Sequence, residues 1–557
     1  MPTRNGAHIL LEVLRAEGVE VVFGIPGGSV IPILDAFHDA ETPRFILTRH
    51  EQGAGHAADG FARATGKVGV CLATSGPGAT NLVTALATAN FDSVPVVAIT
   101  GQVKTHLIGN DAFQEADITG ICRLITKHSY LVKDVTKLGE CLRAAFHIAR
   151  TGRPGPVLVD IPVDVAVAKT DLPIPDQVDL PGYKPVYKGN RRQIKRAAEA
   201  INAAERPVLY VGGGVILSGA SDLLRELAIK ANVPVTTTLM GLGAFSEDHP
   251  LALKMLGMHG TAYANYAVHE TDLLIAVGAR FDDRITGDIT KFAPQATIIH
   301  VDIDPSSISK NIRVDIPVVG DARDILTGLL ELVERREREA WFARIAEWKA
   351  KFPLAYKGDG LKPQYVIQQI DEVSGGKAII CTEVGQNQMW SAQWYTHRYP
   401  RHFISSGGLG TMGYGLPAAI GAQMGRPDAL VVDVAGDGSI QMNIQELATA
   451  VFNKLPVKIC ILNNGFLGMV RQWQELFYNR RYAGTVLDGN PDFVRLAEAY
   501  GARGRRVTKT EDVRPALEEA FKDPSVWVLD FVVTPEENVF PMVPAGEAID
   551  RMIGGMA

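Results

Sequence analysis

Apolar residues recur along this chain in short unbroken runs, separated by longer stretches in which they return every three or four positions. Short runs rich in Val, Ile and Leu predict strands buried on both faces, and the helical periodicity between them predicts covering helices. In the first third the predicted strands are 19–25, 45–47, 69–74, 94–100 and 156–161, with amphipathic helices such as 6–17, 54–65 and 138–150. The middle third repeats the pattern with strands at 207–211, 233–237, 273–277 and 297–301, then one long charged helix over 324–351. The last third adds strands at 378–382, 430–434, 457–462 and 526–532. Strand and helix in strict alternation predict an α/β fold of three doubly wound parallel-sheet domains, at 1–168, 191–345 and 364–540. Residues 169–190, proline-rich and without periodicity, and 346–363 read as linkers. The tail, 541–557, carries Pro541, Pro544 and three glycines and reads as a mobile cap over a site. Three similar units in series suggest duplication, although no sequence repeat is visible.

Bulk composition narrows the function. The chain has 557 residues, 46% hydrophobic and 21% charged, and a net charge of −6 with no long basic or acidic run. Nucleic acid and anionic membrane are therefore not expected as partners. No apolar run reaches membrane-spanning length. The five cysteines are scattered with no Cys-x-x-Cys pair, which argues for a reducing compartment and against a zinc or iron–sulfur site. With no leader-like segment at the start, the expected location is cytoplasmic.

The densest chemistry lies between Gly436 and Asn464. The strand at 430–435 runs into Gly436-Asp437-Gly438-Ser439, a helix follows, and the next strand delivers Asn463-Asn464. Asp437 and Asn464, 27 positions apart, then emerge at neighbouring strand ends, where open α/β sheets bind ligands. A carboxylate and an amide oxygen beside exposed glycine backbone suit a hard divalent cation holding a diphosphate. Glu383-Val384-Gly385-Gln386-Asn387 follows the first strand of the same region and could hold the diphosphate's far end. Gly407 to Gly415 is glycine-dense, with Met412 its bulky exception. In the first region, Gly24 to Gly28 and Gly76-Pro77-Gly78 are two strand-to-helix turns that line one cleft, with Glu51 at a helix start and Phe113-Gln114 beyond. In the middle region, Gly212-Gly213-Gly214, Gly257-Met258-His259-Gly260, Gly278 to Arg284 and Asp302-Ile303-Asp304 form an extended nucleotide cleft. No Gly-x-Gly-x-x-Gly followed by a well-spaced acid points to an NAD dehydrogenase.

Gly-Asp-Gly followed by Asn-Asn at this spacing resembles the magnesium–diphosphate motif of thiamine-diphosphate enzymes. With Arg280-Phe281-Asp282-Asp283-Arg284, Gly407 to Pro417 and Asn463 to Trp473, the chain resembles, over nearly its whole length, the acetohydroxyacid (acetolactate) synthase large-subunit family. The resemblance implies a pyrimidine-binding first domain, a central FAD-binding domain and a diphosphate-binding third domain. It implies decarboxylation of pyruvate on thiamine diphosphate and ligation of the two-carbon unit to pyruvate or 2-ketobutyrate, the first common step of branched-chain amino-acid synthesis. FAD is then structural. By the same resemblance Glu51, Gln114, Gly410 and Met412 are catalytic, and Asp437, Asn464 and the Phe466 carbonyl hold Mg²⁺. Gly27, Gln386, Asn387, Gly438, Ser439 and Met469 line thiamine diphosphate. Gly212, Gly213, Gly214, Met258, His259, Gly278, Arg280, Asp282, Asp302 and Asp321 line FAD, and Phe113, Arg280 and Trp473 face the 2-keto acids. A homodimer or homotetramer, with Glu51 and the metal site from different chains, and a small regulatory subunit are implied too. Val163 stands where the family carries lysine and Asn387 where histidine is common. Val163 leaves a related carboligase or a 2-keto acid decarboxylase as the alternative, while Glu51 argues against glyoxylate carboligase.

Overall fold

A computed structural model describes residues 3–38 and 40–554. The first sheet comprises β1 (Val21–Gly24), β2 (Arg44–Leu47), β3 (Gly69–Ala73), β4 (Val96–Gln102), β5 (His128–Leu131) and β6 (Val157–Pro162). The second comprises β7 (Pro207–Val211), β8 (Val235–Thr237), β9 (Ala252–Met255), β10 (Leu273–Val277), β11 (Thr297–Asp302) and β12 (Ile316–Val319). The third comprises β13 (Ile379–Thr382), β14 (Phe403–Ile404), β15 (Val431–Gly436), β16 (Lys458–Asn463), β17 (Arg503–Val507) and β18 (Trp527–Val532). Every pairing within these three sheets is parallel.

The first sheet runs β2-β1-β3-β4-β6-β5 and the third β14-β13-β15-β16-β18-β17, so the two outer sheets share one strand order. The middle sheet runs β9-β8-β7-β10-β11-β12. Each order reverses near its centre, between β1 and β3, between β7 and β10, and between β13 and β15, and the outer two turn back again at their far edges. Chain crossing to opposite faces at such a point leaves a crevice at the carboxyl ends of the strands. The glycine turns singled out above leave β1, β3, β7, β10 and β15, which places them at these crevices. Their function is thus built into the winding of the sheets.

Within these three sheets five strands are not predicted by the apolar pattern, β5, β9, β12, β14 and β17, and all are sheet edges. An edge strand faces solvent along part of its length, as at the exposed His128 and Arg503, which dilutes the apolar run in β5 and β17, while β12 (Ile-Pro-Val-Val) and β14 are only four and two residues long. The long helix expected over 324–351 is instead two helices, Ala322–Leu332 and Glu339–Lys351. The break lets the buried Arg338 donate to the carbonyls of Ile201, Ala204 and Ala231, capping the ends of two other helices. The tail is not a free cap over its described length, 541–554. Met542, Val543, Ala548 and Ile549 are buried, Val543 N–H donates to the Met258 carbonyl, and Asp288 N–H donates to the Glu547 carbonyl.

The outer domains meet along a seam of glycines. Helix Glu51–Thr65 crosses helix Gly415–Gly425 so closely that a Cβ at Gly60 would stand 2.1 Å from the Ala418 carbonyl oxygen. At Gly421 it would stand 1.8 Å from that of Ala57. Beside the seam Arg63 pairs with Asp59 and Asp92 at 2.6 and 2.8 Å, and the Tyr414 hydroxyl donates to Asp59. Asp92 in turn accepts the Gly407 and Gly408 amides, tying the first domain to the glycine-rich loop of the third. Gly60→Val is expected to cost roughly 3 kcal/mol, the upper end for overpacking, read as a drop in Tm and soluble yield.

Candidate active site

The third domain supplies a compact polar cluster at the β13/β15 crevice. Asp437, 1% exposed, sits where the β15 turn buries it, and burial pushes its carboxyl up to about 6. Its Oδ2 accepts Gly465 N–H at 3.1 Å and Asn490 Nδ2 at 2.7 Å. Asn464 Nδ2 donates to Gln386 Oε1 at 3.2 Å, while its Oδ1 accepts the Phe466 amide at 3.1 Å. Gln386 is oriented by Gln472 and the Glu537 carbonyl, both at 2.9 Å. Asn387 donates to the Val434 carbonyl and Ser439 to the Gly436 carbonyl. A Cβ at Gly438 would strike Leu467 at 2.5 Å, and one at Gly468 would strike Gln386 at 2.1 Å. Met469 and Trp473, one helical turn apart on Gly468–Phe477, are both half-buried. Asp437, Asn464, Phe466, Gln386, Asn387, Gly438, Ser439 and Met469 are thus gathered in one place.

The glycine-rich loop borders this cluster. Gly410 and Gly413 have φ of +71° and +84°, a backbone that side chains resist. Gly410 is exposed and Met412 half-buried, so both remain open to a ligand. Glu383 accepts the Gly413 and Leu416 amides and so anchors the loop where it turns into its helix. Burial pushes Glu383 up to about 8 and neighbouring Asp433 well above the ordinary carboxylate range. Both are raised chiefly because burial disfavours their charged forms, and each disfavours the other's ionisation.

The first domain supplies a separate cleft at the β1/β3 crevice. Glu51 opens helix Glu51–Thr65 and is 8% exposed, with Oε2 accepting Asn81 Nδ2 at 2.9 Å. Its Oε1 lies 3.2 Å from where a Cβ on Gly78 would stand, and a Cβ on Gly27 would strike Thr74 at 2.4 Å. Glu51, Gly27, Thr74, Gly78 and Asn81 therefore share one wall. Gln114, φ +58°, lies with its backbone against Gly76, and Phe113 projects outward at 87% exposure. Among the described residues no hydrogen bond joins Glu51 to the Asp437–Asn464 cluster.

The middle domain holds a cavity of about 260 Å³ at the β7/β10 crevice, lined by Gly214, Gly278, Arg280, Asp302, Gly320 and Asp321. Arg153 of the first domain closes one side and reaches Asp304 at 3.4 Å. Gly212 packs its backbone on Gly278, where a Cβ would meet the carbonyl oxygen at 2.1 Å, and Gly213 lies against Met240. Asp282 caps the short helix Asp283–Thr286 and receives Arg280 at 3.2 Å. Met258 and His259 do not line this cavity. Met258 bonds Arg284 and the tail, and the buried His259, held down to about 4 by desolvation, offers its carbonyl to Gln393. The Gly257–Gly260 turn brings backbone against backbone there, a signal identical in sequence to backbone against ligand.

Residues 4–121, 194–329 and 383–531 match the N-terminal TPP binding, central and C-terminal TPP binding domains of thiamine pyrophosphate enzymes. A probable acetolactate synthase large subunit of Methanocaldococcus jannaschii is 52% identical over 99% of this chain and 95% of the relative. The chain belongs to the acetolactate synthase large-subunit family. An acetolactate synthase large subunit of Corynebacterium glutamicum is also 52% identical, over 98% of this chain and 89% of that protein. One of Haemophilus influenzae is 48% identical over 99% and 98%. Membership in the acetolactate synthase family gives the two outer crevices a thiamine-diphosphate-binding fold and does not favour a plain decarboxylase. Among the described residues no helix is long and apolar enough to cross a membrane, and all five cysteines are unpaired.

Asn81, Asp92, Asn490 and Glu537 also belong to these clusters, and their partners lie far away in the chain. Asn490 alone carried a local signal, a Gly-Asn-Pro turn, which says nothing of what the amide faces.

Proposed function

We propose that this protein joins two 2-keto acids, decarboxylating pyruvate and transferring its two-carbon unit to a second pyruvate or to 2-ketobutyrate. The observation that carries this reading is the pair of matched crevices, one holding a shielded glutamate and the other a buried Asp–Asn pair among glycines. A magnesium diphosphate fits the second. Among the described residues no three His, Cys, Asp or Glu side chains cluster, so a protein-only cage is absent. One carboxylate and one amide, leaving most positions to phosphate oxygens and water, is how Mg²⁺ is usually held. Asp437, Asn464 and the Phe466 carbonyl would hold the ion, and Gln386, Asn387 and Ser439 the phosphates beside it. Bound thiamine diphosphate supplies the electron sink that lets a 2-keto acid lose CO₂ and its remainder bond to a second carbonyl carbon.

This chain's residues do the rest. Glu51, shielded from water and hydrogen-bonded by Asn81, holds and returns a proton at its carboxylate. Gly410 and Gly413 let the loop backbone approach the cofactor, and Met412 fills the space beside it. Arg280 offers a planar guanidinium between the nucleotide cavity and Gly408, suited to a carboxylate. Trp473 gives an apolar wall for an acceptor's methylene. The middle cavity would take part of FAD, its glycines Gly214 and Gly278 admitting backbone approach and Asp302 and Asp321 able to accept ribose hydroxyls, with the rest of the molecule running outside it. The family resemblance assigns Glu51 and the metal cluster of one site to different chains, so a second copy of the chain would complete each site. The relatives' designation as large subunits supports a small regulatory partner.

Purified protein given pyruvate, thiamine diphosphate, Mg²⁺ and FAD is expected to form acetolactate. Free acetaldehyde without acetolactate would reject the reading, and restoration of acetolactate by Val163→Lys would place the fault in the substrate channel. Gly278→Val is expected to yield protein without the flavin absorbance of the parent, read at about 450 nm after gel filtration.

A further inference from the structure

We infer that Glu446 is a positioning residue for the reaction, holding from the third domain the turn that presents Glu51. The inference rests on the proposed role of Glu51. Glu446 is 1% exposed and lies on the 3-10 turn Ile444–Glu446, one 3-10 turn (Ile440–Met442) beyond Gly436–Ser439. Its Oε1 accepts the amides of both Arg49 and His50 at 2.9 Å, across nearly 400 positions of chain. Its Oε2 accepts the Thr449 hydroxyl at 2.6 Å, which fixes the carboxylate's rotation. His50 is the residue that caps helix Glu51–Thr65, so the carboxylate sits at the helix start. A helix start has unpaired amides and a partial positive charge, and an anion there is held by both.

Two further contacts show that the arrangement is specific. A Cβ at Gly53 would come within 2.5 Å of Glu446 Oε1, so glycine at 53 is what allows the carboxylate to reach. Asn443, three residues earlier, donates to the Gly413 carbonyl at 2.6 Å. One short segment thus holds the glycine-rich loop at one end and the approach to Glu51 at the other. Displacing a proton-transfer group by about 1 Å costs about a hundredfold in rate. Nothing in this role requires Glu446 to touch substrate or cofactor.

The test compares Glu446→Ala and Glu446→Gln in the parent and in a Glu51→Gln background. Readouts are kcat and KM for pyruvate, and amide hydrogen exchange of residues 47–52 in the cofactor-free protein. Expected is a kcat loss of about tenfold or more for Glu446→Ala with KM within about twofold, largely rescued by Glu446→Gln, whose amide oxygen still accepts both amides. In the Glu51→Gln background the alanine change should add nothing, because the two residues act as one unit. Exchange should rise at Arg49 and His50 and stay unchanged in the distal half of the helix. Equal losses in both backgrounds, or unchanged exchange at Arg49 and His50, would overturn the inference. A parent that forms no acetolactate would overturn the reading beneath it, and the exchange data would then decide alone whether Glu446 holds the turn.

Discussion

Glu51→Gln is expected to lower acetolactate formation by about a hundredfold to ten-thousandfold, the range typical for removal of a positioned acid–base group. The amide keeps the size and the hydrogen bond to Asn81, so folding and Tm should stay close to the parent. What disappears is the capacity to exchange a proton inside a cleft from which water is largely excluded. Thiamine diphosphate binding, followed by calorimetry, should change little, because the diphosphate is held in the other domain. A mutant within about threefold of the parent in kcat would remove Glu51 from the mechanism.

Asp437→Ala is expected to abolish magnesium-dependent retention of thiamine diphosphate, leaving protein that emerges from gel filtration without cofactor and without activity. Asp437 is the only carboxylate among the three expected ligands, so its loss removes the sole protein charge on the ion. Asn490→Ala tests the same site one contact further out. Asn490 donates to Asp437 Oδ2 at 2.7 Å and fixes the direction of the other lone pairs. Its removal should weaken magnesium affinity by about tenfold to a hundredfold while leaving kcat at saturating Mg²⁺ near the parent value. Equal affinity in Asp437→Ala and parent would move the ion elsewhere.

The juxtaposition of Asp437 and Asn464 was legible in the sequence because both lie within one strand–helix–strand crossover. Such a unit has a fixed hand and nearly fixed dimensions, so spacing in sequence becomes spacing in space. The glycine-rich loop was legible for a related reason: glycine density marks close backbone approach wherever it occurs. That rule does not say what approaches: at Gly257 the near neighbour is the Arg284 backbone, with Met258 and His259 bonded through their carbonyls to the tail and Gln393. Asn490, Asp92 and Glu446 were invisible because each reaches a partner from 53 to nearly 400 positions away. A single sequence carries no local trace of such a pairing. Edge strands such as β5 and β17 were missed for the opposite reason, since solvent on one side dilutes the apolar signal that buried strands display.

The glycine seam has a bearing on how this protein changes over generations. A methyl group added at Gly60 or Gly421 meets peptide backbone in the opposite domain, not a side chain that can turn aside. No compensating substitution is available on the other helix, because backbone cannot be mutated away. The two outer domains therefore inherit a shared constraint and must drift together, as a lock and its plate do. The middle domain touches neither of those crossing points, and its cavity is tied to the first domain only through side chains such as Arg153, which can be exchanged.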